Sequence, residues 1–198
     1  MNIICFNQNN KKLLAVVFNE NKVEKTEKRD NFSVGYDDEN NLVFINIFNE
    51  EFNNKYDYGL IYPTTSFLEE LTNLTGLYLN NYINHSKLVV AEIVDLSPIP
   101  NTHLNYCDVK IASDKIVKIV CGAKNARQGL ITVAALDKTL IPNGLFIKKG
   151  KLMNLESNGM LCSAKELKLE NESTGIIDLN NSDYNIGDVF KDVYVNLK

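Results

Sequence analysis

The chain is poor in the residues that build metal centres and in the runs that cross membranes. Its 198 residues include only two histidines, His85 and His103, and four cysteines, Cys5, Cys107, Cys121 and Cys162. No two cysteines have the two-residue spacing that zinc ribbons use, so a metal site is not expected. No apolar run approaches the ~18 residues that span a bilayer. The amino terminus lacks a basic stretch followed by an apolar segment and a small-residue cleavage site. The expectation is a cytoplasmic protein with reduced thiols. Also missing are a glycine-rich phosphate loop ending in Gly-Lys-Ser/Thr and a serine-nucleophile elbow, and two histidines offer few general bases. A non-enzyme without a cofactor follows. Cys121, within Ile119-Val120-Cys121-Gly122-Ala123, would need a neighbouring base to act as a nucleophile and reads instead as core filling.

What the chain does contain is an uneven charge. The net of -4 and the 44% hydrophobic, 23% charged composition are ordinary for a folded protein. From Met1 to Ser86, however, 7 Lys and Arg face 12 Asp and Glu, whereas from Lys87 onward the balance is 14 to 13. Between Lys115 and Lys168 ten basic residues face three acidic ones, Asp137, Glu156 and Glu166. Such a local excess is the footprint of a phosphate-binding surface. Taken alone, a charged run reads as a solvated face.

The length suits two small domains, since most hold roughly 100 to 150 residues. In the first part, short apolar runs (NIICFN, LLAVVFN, FSVGY and LVFINIF) alternate with Asn-rich turns such as NQNNKK and DDENN, the pattern of strands joined by turns. After Tyr62-Pro63, the segment from Thr64 to Asn84 places Phe67, Leu68, Leu71, Leu74, Leu77 and Tyr78 at helical spacing, with Thr65 or Ser66 as N-cap. An α+β domain over 1–86 is expected. From Lys87 the runs KLVVAEIVDL, LNYCDVKIA, KIVKIVC, LITVAAL and LFIKKGKL, followed by GIIDL and DVFKDVYV, suit a five-stranded, partly open Greek-key barrel over 87–198. Pro98 and Pro100 mark a loop after the first of these runs.

Three short segments carry candidate binding residues. In KNARQG, Lys124 and Arg127 suit phosphate and Asn125 offers a donor and an acceptor to a base edge, although a plain turn explains Asn125 and Gly129 equally well. In IKKGKL, strand alternation puts Lys149 and Lys151 on one face and Lys148 on the other, whether they serve RNA or merely solubilise an edge strand. The third segment is Ser157-Asn158-Gly159-Met160, whose Asn-Gly pair is a tight-turn signal.

Together with VVAEIVDLSPIPNTHLNYCDV from Val89 to Val109, these runs resemble the tRNA-binding domain of the bacterial phenylalanyl-tRNA synthetase beta chain, of the methionyl-tRNA synthetase C-terminus and of stand-alone tRNA-binding proteins. The resemblance extends over about Lys87 to Val193. Ile99 and Thr102 stand where the family usually has histidine and alanine, and Lys124 where it commonly has proline. The resemblance implies an OB-fold (oligonucleotide-binding barrel) that recognises tRNA by shape. It assigns tRNA contact to the turn: Ser157 by hydrogen bonding and Met160 by packing a base, with Ser163 a further candidate and Met160 as core filler the alternative. Stand-alone members of the YtpR type carry a similar-sized additional domain ahead of the barrel. The resemblance thus points to a non-catalytic tRNA-binding protein that presents tRNA to another factor and forms a homodimer or takes a protein partner through the 1–86 domain, or else to a protein-interaction module with vestigial RNA affinity.

Overall fold

A computed structural model describes residues 1–79 and 87–196. The chain divides into two compact units, Met1–His85 with Tyr194–Lys198, and Ser86–Val193.

The first unit is built on a six-stranded antiparallel sheet of β1 (Asn2–Gln8), β2 (Lys11–Val17), β3 (Lys25–Lys28), β4 (Phe32–Tyr36), β5 (Leu42–Ile47) and β6 (Gly59–Ile61), in the order β3-β4-β5-β2-β1-β6. Asn9 and Asn10, with φ of 52° and 62°, make the two-residue turn between β1 and β2. Asn tolerates that left-handed backbone and its twist matches the hairpin. A short helix α1 (Glu50–Asn53) precedes β6; the buried Asn53 amide donates to the backbone oxygens of Lys12 and Ile47 at 3.0 and 2.9 Å, tying α1 to the sheet.

Helix α2 runs Thr65–Thr75, one turn shorter than its apolar spacing suggests. Thr64, not Thr65 or Ser66, is the N-cap and accepts from the Phe67 N–H, while Gly76 at φ 69° ends the helix in the left-handed conformation. Leu77 and Tyr78 therefore lie beyond it, and the remainder of the expected helix, 80–84, is outside the described residues. Phe67, Leu68 and Leu71 pack into one apolar cluster with Ile3, Leu14, Ile45 and Ile47 of the sheet. Each such side chain contributes about 1.5–3 kcal/mol by leaving water.

The tail, placed by sequence with the barrel, belongs to this unit. Tyr194 bridges to Leu60 in parallel, the Val195 N–H donates to the Leu60 carbonyl at 2.9 Å, and Asn196 exchanges two hydrogen bonds with the backbone of Tyr62, of 2.7 and 2.9 Å. The Tyr194 ring also meets the Tyr62 ring edge-on at 5.3 Å. These contacts cover one side of β6, whose three residues are too few for the hydrophobic pattern to announce.

The second unit is a curled, five-stranded antiparallel sheet of β7 (Leu88–Pro98), β8 (Asn105–Ala112), β9 (Lys115–Cys121), β10 (Ile131–Leu136) and β15 (Gly159–Leu161), ordered β15-β10-β7-β8-β9. β7 pairs with β10 through Leu88–Glu92 and with β8 through Glu92–Pro98, and a bulge between Ile93 and Asp95 bends it where the partners change. Its first four residues are buried, paired with β10 along one edge and bonded to Gly187, Asp188 and Phe190 along the other. Two small ladders interrupt the chain between β10 and β15: β11 (Thr139–Leu140) with β12 (Phe146–Ile147), and β13 (Gly150–Leu152) with β14 (Leu155–Ser157).

The fifth strand of the main sheet is thus β15, and not LFIKKGKL. That run splits into β12 and β13, and every residue from Lys148 to Asn154 is exposed. GIIDL also forms no strand, although Ile177 and Leu179 donate backbone bonds to Cys162 and Ile131 at 2.9 and 2.8 Å. The core gathers Val89, Ala91, Ile93, Val109, Ile119 and Leu161, and all four cysteines of the chain are free and buried.

Deletion of Tyr194–Lys198 is expected to destabilise the first unit by about 1.5–3 kcal/mol, the value of one large buried side chain. The second unit should be unaffected. Hydrogen exchange resolved by peptide checks this: faster exchange in β1 and β6 with β7–β10 unchanged is the expected pattern.

Candidate nucleic-acid interface

The curled sheet of the second unit leaves two edge strands, β9 and β15, and one short stretch of chain ties them together. The Asn158 N–H donates to the Lys118 carbonyl of β9 at 2.8 Å. The Ser157 hydroxyl accepts from the Val120 N–H at 3.1 Å and donates to the Gly159 carbonyl at 3.2 Å. On its other side, β15 pairs with β10, Met160 lying opposite Ala135. A Cβ at position 159 would sit 2.4 Å from the Ala135 carbonyl oxygen, so glycine alone lets the strands approach this closely.

Asn158-Gly159 is consequently no hairpin turn, since neither residue has a positive φ. The turn of that type is at Met153-Asn154, with φ of 52° and 63°, joining β13 to β14. The hydroxyl of Ser157, expected to face RNA, is occupied within the fold.

Next to this crossing lies a cavity of about 360 Å³. Met160, Cys121 and Ile176 supply apolar walls, and Ser163, Glu166 and Thr174 supply polar ones. Two of the sequence candidates, Met160 and Ser163, therefore share one site. Met160 is only partly buried, whereas its neighbour Leu161 packs into the core. Ser163 and Glu166 are locked reciprocally: Glu166 Oε2 accepts from the Ser163 N–H at 2.8 Å and from its hydroxyl at 2.7 Å, and the hydroxyl in turn accepts from the Glu166 N–H at 3.3 Å. This is the geometry of a capping box, and it holds the chain entering 163–168.

The KNARQG loop forms a second boundary. The Asn125 amide donates to the Ile176 carbonyl at 2.8 Å and its oxygen accepts from the Ile176 N–H at 3.0 Å. Both its functions are thus spent on holding the segment that walls the cavity. Arg127 is ion-paired with Asp178 at 2.7 Å, and the guanidinium holds the Asp178 carboxyl below its ordinary value. Asn180 bridges the same two segments through the Gly129 carbonyl and the Ile131 N–H. Sequence reasoning missed Asp178 and Asn180, because their partners lie about fifty residues away in the chain and leave no local pattern.

The remaining cations are exposed. Lys124, Lys149 and Lys151 form no ion pair among the described residues. Lys149 lies between β12 and β13, anchored by its own N–H donating to Asp137 at 2.8 Å, so strand alternation does not govern this run and Lys148 is exposed as well. On β9, Lys118 pairs with Asp108 at 2.6 Å and its ammonium sits 5.1 Å from the centre of the half-buried Tyr106 ring. That leaves the Tyr106 face covered by a cation.

Burial pushes the Cys162 thiol up to about 12. A shared hydrogen bond raises Cys107 and lowers Cys121, and the Cys121 sulfur also accepts from the Ala123 N–H at 3.5 Å. Among the described residues no group of three or more His, Cys, Asp and Glu side chains is placed to hold a metal, and no helix is long and apolar enough to cross a membrane. The first unit has its own cavity of about 610 Å³, but its walls mix Glu27, Arg29 and Asp30, and Glu27 is paired with Lys25 and Arg29, which leaves no field of one sign.

Comparison with known proteins gives three kinds of match. A family model described as "Putative tRNA binding domain" matches residues 88–188. Two uncharacterized mycoplasma proteins are similar along most of their length: the MG449 homolog of Mycoplasma pneumoniae, 36% identical over 87% of this chain and 76% of its own, and MG449 of Mycoplasma genitalium, 37% identical over 80% and 72%. The phenylalanine-tRNA ligase beta subunit of Wolbachia sp. subsp. Brugia malayi is 43% identical over 64% of this chain, which corresponds to 17% of that subunit.

Gly159→Ala is expected to destabilise the second unit by at least about 2 kcal/mol through overpacking against Ala135. Ser157→Ala should cost about 1 kcal/mol by leaving the Val120 N–H unpaired. Urea unfolding of the two variants measures both, and the order of the effects is the test: Ser157→Ala without any loss would mean that its hydroxyl does not tie the edges.

Proposed function

We propose that this chain, which belongs to the tRNA-binding domain family, is a non-catalytic protein that grips structured tRNA through its second unit. The observation that carries this reading is the placement, inside the family-matched region, of the exposed Lys124, Lys149 and Lys151 together with a cavity walled by Met160 and Ser163. Cations on a surface bind the phosphate backbone whatever the sequence, and a cavity in the same unit offers a place for an exposed base. The curled five-stranded sheet with bridged edges supports the OB-fold reading, in which one strand face and its bordering loops receive the nucleic acid.

The proposal gives the site residues different duties. Lys124, Lys149 and Lys151 meet phosphate and Met160 meets a base. Ser157, Ser163 and Asn125 shape the surface, and Arg127 contributes charge only to the extent that RNA competes with Asp178 for it. The first unit, with 12 acidic against 7 basic residues over Met1 to Ser86, repels RNA and is left for protein contacts. Presentation of tRNA to another factor, pairing of two copies and a cytoplasmic location are parts of the same proposal.

Titrating the full chain with tRNA across a salt series is the test. Lys149→Ala and Lys151→Ala should each lower the slope of log affinity against log salt by about 0.7 to 0.9, the value of one neutralised phosphate. Arg127→Ala should change it less, since its charge is already partnered. A chain that binds no tRNA at low salt would favour the alternative of a protein-interaction module.

A further inference from the structure

The cavity beside β15 is too small for a duplex and its chemistry is wrong for a phosphate. At about 360 Å³ it lies near the lower end of the roughly 300–1,000 Å³ of small-ligand sites, which suits one base or nucleoside. Its charged wall is Glu166, a carboxylate that repels phosphate. Glu166 Oε2 is taken by the N–H and hydroxyl of Ser163, whereas Oε1 accepts no hydrogen bond among the described residues. The Ser163 lock fixes the carboxylate of this lining residue in place, so its second oxygen is held without further loss of side-chain freedom. Met160 and Ile176 offer polarizable and apolar surface to a ring, and Ser173 and Thr174 add hydroxyls at the wall.

We propose that this cavity receives a single unpaired nucleobase with an exocyclic amino group, cytosine or adenine, whose amino hydrogen is accepted by Glu166 Oε1 while Met160 packs the ring. Carboxylates recognise the cytosine amino group in this way. Uracil is disfavoured because its one donor on that edge, N3–H, is flanked on both sides by carbonyl oxygens that the carboxylate repels, whereas the cytosine and adenine amino groups project free of such neighbours. Guanine presents an amino and a ring N–H side by side and needs two free acceptors, of which the lock leaves one. The inference rests on the tRNA-binding reading and adds to it a preference among bases.

The experiment is fluorescence anisotropy of the full chain with hexacytidylate, hexauridylate and tRNA, for the natural sequence, Glu166→Gln and Met160→Ala. Gln keeps an oxygen for Ser163, and the ratio of the two hexamer affinities does not depend on how much of a variant is folded. Hexacytidylate should bind roughly tenfold tighter than hexauridylate, a discrimination of the size one base contact gives. Glu166→Gln should bring the two within about twofold of each other, since its amide can also donate to uracil. Met160→Ala should weaken both alike, by roughly two- to tenfold. Equal binding of the two hexamers by a chain that does bind tRNA, or a ratio unchanged in Glu166→Gln, overturns the inference alone; absence of tRNA binding overturns the functional reading on which it stands.

Discussion

A curled sheet with two free edges has to satisfy or cover the backbone groups along both, and in the second unit the stretch Ser157–Gly159 bridges them. One backbone bond to Lys118, one hydroxyl bond from Val120 and one ladder to Ala135 fasten β9 and β15 through a few residues. The rest of the site follows from this crossing. Gly159 is required because the chain passes within a methyl group's reach of β10. Met160, one residue later, reaches the cavity wall while Leu161 enters the core, as alternation along a strand demands. The lysine-rich hairpin just before the crossing has no place in the sheet and stands in solvent.

The cavity has a second set of dependencies. Its far wall belongs to a segment without regular structure, which would be costly to order on its own. Asn125 and Arg127 hold that segment by side-chain bonds to the Ile176 backbone and to Asp178, and its own Asn180 bonds back to Gly129 and Ile131. Within the loop expected to reach for nucleic acid, Asn125 and Arg127 therefore support the surface, while Lys124 stands exposed on it. Removal of Asn125 would leave both backbone groups of Ile176 unpaired.

Much of this architecture was legible in the sequence because the strands are long and apolar. β1, β2, β4 and β5 and the run from β7 to β10 all coincide with hydrophobic segments bounded by Asn, Asp or Gly. β3, with the sequence KTEK, and β6, with three residues, were not legible: the first is polar and exposed, and the second is too short for alternation to register. The helix was visible, but its end at Gly76 was overrun because Leu77 and Tyr78 continue the apolar spacing after the backbone has turned away. For the candidate site, composition pointed to the cations, which are exposed, and the family pattern pointed to Met160 and Ser163, which line one cavity. The duties of Ser157, Asn125 and Arg127 were hidden because each is settled by a partner at least 37 residues distant. The return of Tyr194–Asn196 to Leu60 and Tyr62 was hidden for the same reason.

The central claim is that one face of the second unit, organised by the β9–β15 crossing, is where tRNA rests. Hydrogen exchange of the full chain with and without tRNA tests it most directly, because backbone protection reports contact position by position. The account predicts slowed exchange confined to 120–127, 148–163 and 173–176, with β1–β6 and α2 unchanged. Protection of the first unit, or of the second unit everywhere except these segments, would contradict it.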